Sequence, residues 1–544
     1  MEGGRFCDHC GNVAHRTIAS SGRRGPLSPV SLSALTALAL ICAGSFARAD
    51  EPRSATEPRV MQEPGEVVNV IDAFDEGDPF DISISLGFQY SSKSAKIRRE
   101  TNIDAPGLTS GGFTSSLMNV ASYSEQTSRL IPRVDIGIYK DLALYFRVPI
   151  ILNNSRELTG LDGTEDAAVQ RVVLQGGPGE QLFSLPFKSP DRSGLEYLAV
   201  GLDSTVFNQA RSRGGKHNTD ARAHDPATIL FGVEGRFAIG ESMHACNPGS
   251  PEGQLDCAVP ADRNRNGVSD DPFDATDTSE RKPGVTRGTI GLEVHTLVSR
   301  RIKYIEPYGG FSALFEFQQQ SSDYGITDLE GSLVNRPPIS GTMTLGMMII
   351  PWENREKFGR LTFDLRAQGK YTSEGRDYSE LFDAIGSSNA ASMRTPQWAR
   401  YAANPNFNPT PGPGDIRQPV SVIDPNSQRT YVTGLTDVQQ YASIRGQASV
   451  TWQASEYVKF TVGFGFTHDQ KHGITADQPC NPTFKDSIER AGPCKSGNEL
   501  AGETITATGI PNPNYRPTIN AVGRRFYATD SDTFDIFASG VVMF

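Results

Sequence analysis

Oxygen-bearing side chains recur at alternate positions in one short polar stretch, where residues 262–270 read DRNRNGVSD. Asp262, Asn264, Asn266, the Val268 carbonyl and Asp270 take the alternate ligand positions of a calcium loop, and Gly267 permits its sharp bend. Such spacing wraps a hard cation in oxygen. The stretch departs from the pattern at its end, where Phe273 stands in place of the bidentate acid and Asp274 comes one residue late. A polar Asn/Asp-rich turn is the alternative. The expectation is a structural Ca2+ ion on an extracellular loop.

A second set of ionisable residues alternates with apolar ones. Asp203, Glu234, Glu293 and Glu316 sit in segments near 197–207, 227–239, 287–298 and 303–317. Arg360, Arg366 and Lys370 sit in 359–371, Arg445 in 440–453, and Lys459 follows. If these segments are strands of a closed ring, the acids gather on the fourth to seventh and the bases on the ninth to eleventh. The two walls then face each other, and opposed charges across a pore make a field that selects among ions and orients polar solutes. The alternative is local neutralisation by neighbours such as Arg236 and Asp364, or side chains bridging a filled interior.

Nucleophilic chemistry has less support. Of six histidines beyond residue 49, His295 stands beside Glu293 inside a strand pattern and His468 at a strand end. Neither accompanies a G-x-S-x-G motif. A hydrolase and an adhesive surface protein stay as alternatives to a channel.

The elements that must position these side chains begin with residues 80–90, FDISISLGFQY. Phe80, Ile82, Ile84, Leu86, Phe88 and Tyr90 alternate with polar residues and Gly87. That is a strand with one apolar and one wet face. A membrane-crossing strand needs about 9–11 residues, more than a typical soluble strand has. The pattern returns at 130–139 and 142–150 around the turn Lys140-Asp141, then in the segments named above and in 338–351 and 456–468. The stretches 91–128, 151–196, 240–286, 318–337, 372–439 and 469–523 read as long polar loops. Within the fifth, Trp398–Pro413 could fold inward and narrow a pore.

The final segment, DTFDIFASGVVMF, again alternates and ends on Phe544. This ending resembles the C-terminal strand by which Gram-negative outer-membrane β-barrel proteins are recognised for assembly. The resemblance is to a class. It implies an all-β chain closed into an antiparallel transmembrane barrel, with long extracellular loops, short periplasmic turns, a lipid surround and an assembly-machinery partner reached through the Phe544 strand. Counting gives about twelve strands, an even number. The segment 208–226 is long for a periplasmic turn.

Residues 1–49 read as a signal peptide, with Arg23 and Arg24, an apolar run over Val30–Ala43 and a small-x-small site at Ala47–Ala49. Cys7-Asp8-His9-Cys10 would leave with it. Residues 50–79 read as an acidic periplasmic arm, a solvated leader to the first strand, although Val67–Ile71 could dock a partner or dip into the lumen; 80–544 form the barrel. Loss of the leader takes five of 52 basic and two of 63 acidic residues, leaving a net charge of −14. Nothing in that charge favours a nucleic-acid partner, which wants a basic surface. No stretch after the leader reaches eighteen apolar residues, which excludes helical spans. Four cysteines remain, and their closeness suggests that Cys246 pairs with Cys257 and Cys480 with Cys494 as loop disulfides; a metal site is the alternative, with no partner His at finger spacing.

Overall fold

The architecture comes from a computed structural model. It describes residues 67–68, 70–71, 73, 81–104, 113–139, 141–207, 227–248, 256–257, 282–302, 304–319, 322–324, 331–334, 336–354, 357–398, 400–427, 429–455, 457–498 and 502–544. The leader, most of the arm, segment 208–226 and the 262–270 loop lie outside these.

Twelve antiparallel strands close into a barrel. They are β1 (Ile82–Asp104), β2 (Phe113–Tyr139), β3 in two pieces (Leu142–Arg147 and Ile150–Gly160), β4 in two pieces (Arg192–Leu195 and Leu198–Phe207), β5 (Thr228–Phe237) and β6 (Thr289–Ser299). Then come β7 (Ile305–Gln318), β8 (Ser340–Asn354), β9 (Gly359–Thr372), β10 (Tyr441–Ser455), β11 (Val458–Asp469) and β12 (Phe526–Met543). Neighbours in sequence pair, and β1 closes the ring on β12 from Ser83↔Met543 to Arg99↔Phe526. Closure leaves no unpaired sheet edge.

β3 breaks where Pro149 has no N–H to give the ladder. The chain bridges the gap: Val148 N–H donates to the Pro132 carbonyl, and the Pro149 carbonyl accepts from Glu196 N–H at 2.9 Å. Close approach also demands glycine inside the wall. The Tyr308 ring lies over Gly346 and the Tyr145 ring over Gly201, where any Cβ would overlap the ring.

The outer face is apolar and uncovered. Leu86 is 52 % exposed, Phe231 52 %, Leu365 50 % and Phe464 55 %, on four different strands. An apolar belt of this extent exceeds what a water-soluble surface carries. No helix among the described residues is long and apolar enough to cross a membrane.

Three readings of the sequence need correction. In the loop 151–196, the first ten residues belong to β3, which runs on to Gly160. The stretch 91–128 is not a loop: β1 runs to Asp104 and β2 starts at Phe113. Here the alternation inverts, because Ala95 and Ile97 are apolar and buried on the inner face while Ser94 is exposed. The last strand likewise starts at Phe526, six residues earlier than its apolar outer face indicates.

The main apolar core lies at the loop end, opposite the short turns. Residues from three loops supply it: Val173, Leu174, Leu182 and Phe183 after β3, Leu381, Ile385 and Met393 after β9, and Ile474 and Ile519 after β11. They pack on inward-facing Ala95, Ile97 and Tyr123. The first loop contributes helix α1 (Ala167–Val173), and the second α2 (Phe382–Gly386) and α3 (Ala391–Arg394). Together the loops build a cap. Trp398–Pro413 is not its inner part, since residues 405–406 and 408–410 are exposed.

Candidate functional site

Strand alternation aims every second side chain into the lumen, and register carries that choice from strand to strand. In register, Glu234 faces Glu293 and Gly201, and Arg366 faces Gln447 and Gly346. Asp203, Glu234, Glu293, Glu316, Arg360, Arg366, Lys370 and Arg445 all fall on this inner face. They do not form two opposed walls.

Asp203, Glu234, Glu293 and Glu316 each have a cation beside them. The Glu234 carboxylate accepts from Arg147 and Arg236, both at 2.6 Å, and from the Tyr145 hydroxyl at 2.8 Å. Arg236 also reaches Glu293. Glu316 meets Arg287 at 3.1 Å and the Thr289 hydroxyl at 2.8 Å. Asp203 lies 3.0 Å from His295 Nε2 and 3.5 Å from Arg133.

The bases are matched likewise. Arg366 donates to Asp364 at 3.1 Å and to the Tyr308 hydroxyl at 2.9 Å, and Tyr308 donates to Asp364 at 2.6 Å. Arg445 pairs with Asp535 on β12. Local pairing wins because a charge moved from water toward protein needs a counter-charge within a few ångströms, not across a lumen. The expected separation of charge is therefore replaced by short-range pairs, as the alternative with Arg236 and Asp364 has it.

Sequence reasoning missed the inward fold of residues 375–394. Three acids spaced three residues apart fasten it to the wall. Asp377 pairs with Arg287 at 2.9 Å, Glu380 with Lys93 on β1 at 2.8 Å, and Asp383 with Arg192 on β4 at 2.7 Å. The available signal was the apolar run Tyr378, Leu381, Phe382, Ala384 and Ile385 between those acids, inside a loop otherwise rich in Pro, Asn and Gly. Such a run in a loop has to be buried. Burial alone would raise the Glu380 pKa, but the adjacent Lys93 ammonium outweighs it and holds the carboxyl below its usual range.

The turn end of the lumen is also occupied. Val68 and Ala73 of the arm are buried, and Val70 packs with Ile71 against inward-facing Ala143, Leu230 and Leu297. The expected solvated leader is corrected for this stretch, which seats its apolar side chains against the lumenal wall because that hides them from water.

Cys246 bonds to Cys257 and Cys480 to Cys494, each within one loop. The first lies beside the cap fastening, since Cys246 N–H donates to Asp383 at 3.1 Å. The calcium-loop residues Asp262, Asn264, Asn266, Val268 and Asp270 lie outside the described residues. Among those described, no group of three or more His, Cys, Asp or Glu could hold a metal ion.

No protein-family model and no curated protein sequence matches the chain. Among solved structures, it is similar to an outer membrane channel from Pseudomonas putida F1, at 8 % identity and a TM-score of 0.33, over 89 % of this chain and 99 % of that one. The outer membrane protease OmpT from Escherichia coli gives 8 % identity and a TM-score of 0.25, over 86 % of this chain and 99 % of that one. An anion-selective porin from Comamonas acidovorans gives 8 % and 0.18, over 85 % and all of that chain. These scores are low, so the fold assignment rests on the ring closure and register described above. They define the class: a twelve-stranded antiparallel β-barrel with an apolar outside and an ionised lumen.

Proposed function

We propose that the chain is an outer-membrane channel passing small polar solutes through its charged lumen. One observation carries this. Lys370 is on the inner face of β9 yet keeps solvent-accessible surface, so the wall there borders wettable space although protein groups crowd around it. A lumen whose charges are ionised and paired suits water-borne solutes. The apolar belt sits in the lipid, with the long loops outside and the short turns toward the periplasm. The leader is removed near Ala49, and the β12 strand ending at Phe544 engages the barrel-assembly machinery. Calcium bound at 262–270 would brace the outer loops, and calorimetry with millimolar calcium tests it by the heat of binding.

A lumenal hydrolase is the second reading. The Asp203–His295 contact favours it, but Nδ1 of His295 has no hydrogen-bond partner and no nucleophile hydroxyl is bonded to the ring among the described residues. Liposome swelling with sugars and amino acids separates the two. Swelling supports a channel. Its absence, together with turnover of ester or peptide substrates, supports the enzyme.

A further inference from the structure

We propose that Arg129 on β2 and Lys370 on β9 form an oxyanion-selecting pair, so that the solutes passed are small anions, carboxylates foremost. This rests on the channel reading above. Arg129 faces Gln89 in register, and Gln89 turns inward to bond Asp535, so the Arg129 guanidinium points into the lumen. Its Nε is buried without a hydrogen-bond partner. Lys370 faces Thr342 and Ser443 in register and makes no ion pair among the described residues, although the Arg287 guanidinium and the carboxylates of Asp377, Asp469 and Glu316 act on its ammonium from further off. In a ring of twelve, the second and ninth strands stand on opposing walls.

What sets this pair apart is free valence. Arg133, Arg147, Arg236, Arg366 and Arg445 already hold carboxylates. Neither Arg129 nor Lys370 has an ion-pair partner among the described residues. Asp469 makes no ion pair in that set and acts on Lys370 only from a distance, its oxygens being held by the hydroxyls of Ser443 and Ser531 at 2.6 and 3.1 Å. A passing cation therefore finds the lumenal carboxylates named above already holding cations or hydroxyl donors, while a passing carboxylate finds two cations that hold no ion-pair partner among the described residues. Charge-assisted hydrogen bonds from guanidinium and ammonium to an oxyanion are about twice as strong as neutral ones. Selectivity of this kind comes from a few donors at close quarters, not from net charge.

The test uses the mature full chain and its variants in planar bilayers, with folding checked by heat-modifiable migration. In a tenfold KCl gradient the wild-type reversal potential should carry the sign of an anion-preferring pore. In R129A/K370A it should move to zero or past it, and K370E should invert it. Replacing chloride by acetate or by inorganic phosphate tells a carboxylate site from a phosphate site, and acetate should pass faster. A conducting pore that prefers cations, or whose preference survives R129A/K370A, overturns the pair and leaves the channel standing. No conductance and no solute-dependent swelling in any variant overturns the channel reading and the pair with it.

Discussion

Arg192 on the wall of β4 gives both arms of its guanidinium to the carboxylate of Asp383 in α2, at 3.0 and 2.7 Å, across 191 residues of sequence. Both side chains are almost fully buried. The same carboxylate accepts Cys246 N–H, and Arg192 reaches the His244 carbonyl at 2.8 Å. One ion pair thus ties three segments of the cap together.

Removing one partner leaves a buried charge unmet, which costs about 3–5 kcal/mol. D383A should free the 375–394 segment without unfolding the barrel. Limited proteolysis should cut within that segment in the variant and not in the wild type, while heat-modifiable migration stays unchanged.

Acid should loosen the same cap through Glu380. Its folded pKa lies below the unfolded value, so its contribution is complete above about pH 4.3 and disappears as pH falls through the folded pKa. Conductance, or cleavage within 375–394, should rise below pH 4. In E380Q that acid step should vanish, with a looser cap at every pH.

The arm should behave as a stopper at the turn end. V70D places a carboxylate against Ala143, Leu230 and Leu297, where nothing satisfies it. The stretch should leave its seat and single-channel conductance should increase. An unchanged conductance would show that the seat does not limit flow. V70I, which keeps the apolar contact, should match the wild type.

Inside the wall, Gly346 makes room for Tyr308, and Tyr308 joins Asp364 to Arg366. G346A should push the ring aside, break both bonds and lower barrel stability by about 1–3 kcal/mol, read as a lower unfolding midpoint in urea. Y308F should lose only the hydroxyl bonds and fall by less.

Much of this protein is legible in its residues alone. The every-second-residue apolarity of 80–90, 142–150 and 532–544 needs only strand geometry and one apolar neighbour to become a wall strand, and twelve such segments follow from it. The cysteine pairs were legible for a similar reason, being near each other in sequence. The missed half of β1 and β2 shows the limit: once the inner face is the apolar one, the same period no longer announces lipid.

What only the folded chain decides is which charges cancel. Glu234 meets Arg147 across 87 residues and Arg445 meets Asp535 across 90, pairings set by register and shear that no local spacing encodes. The same holds for Asp383 and its distant Arg192, and for Val70 in its seat between β3, β5 and β6. Local alternation fixes which way a side chain points, because backbone geometry is a property of neighbours. Which partner it meets depends on how the whole ring closes, and in this register Arg129 and Lys370 hold no ion-pair partner among the described residues.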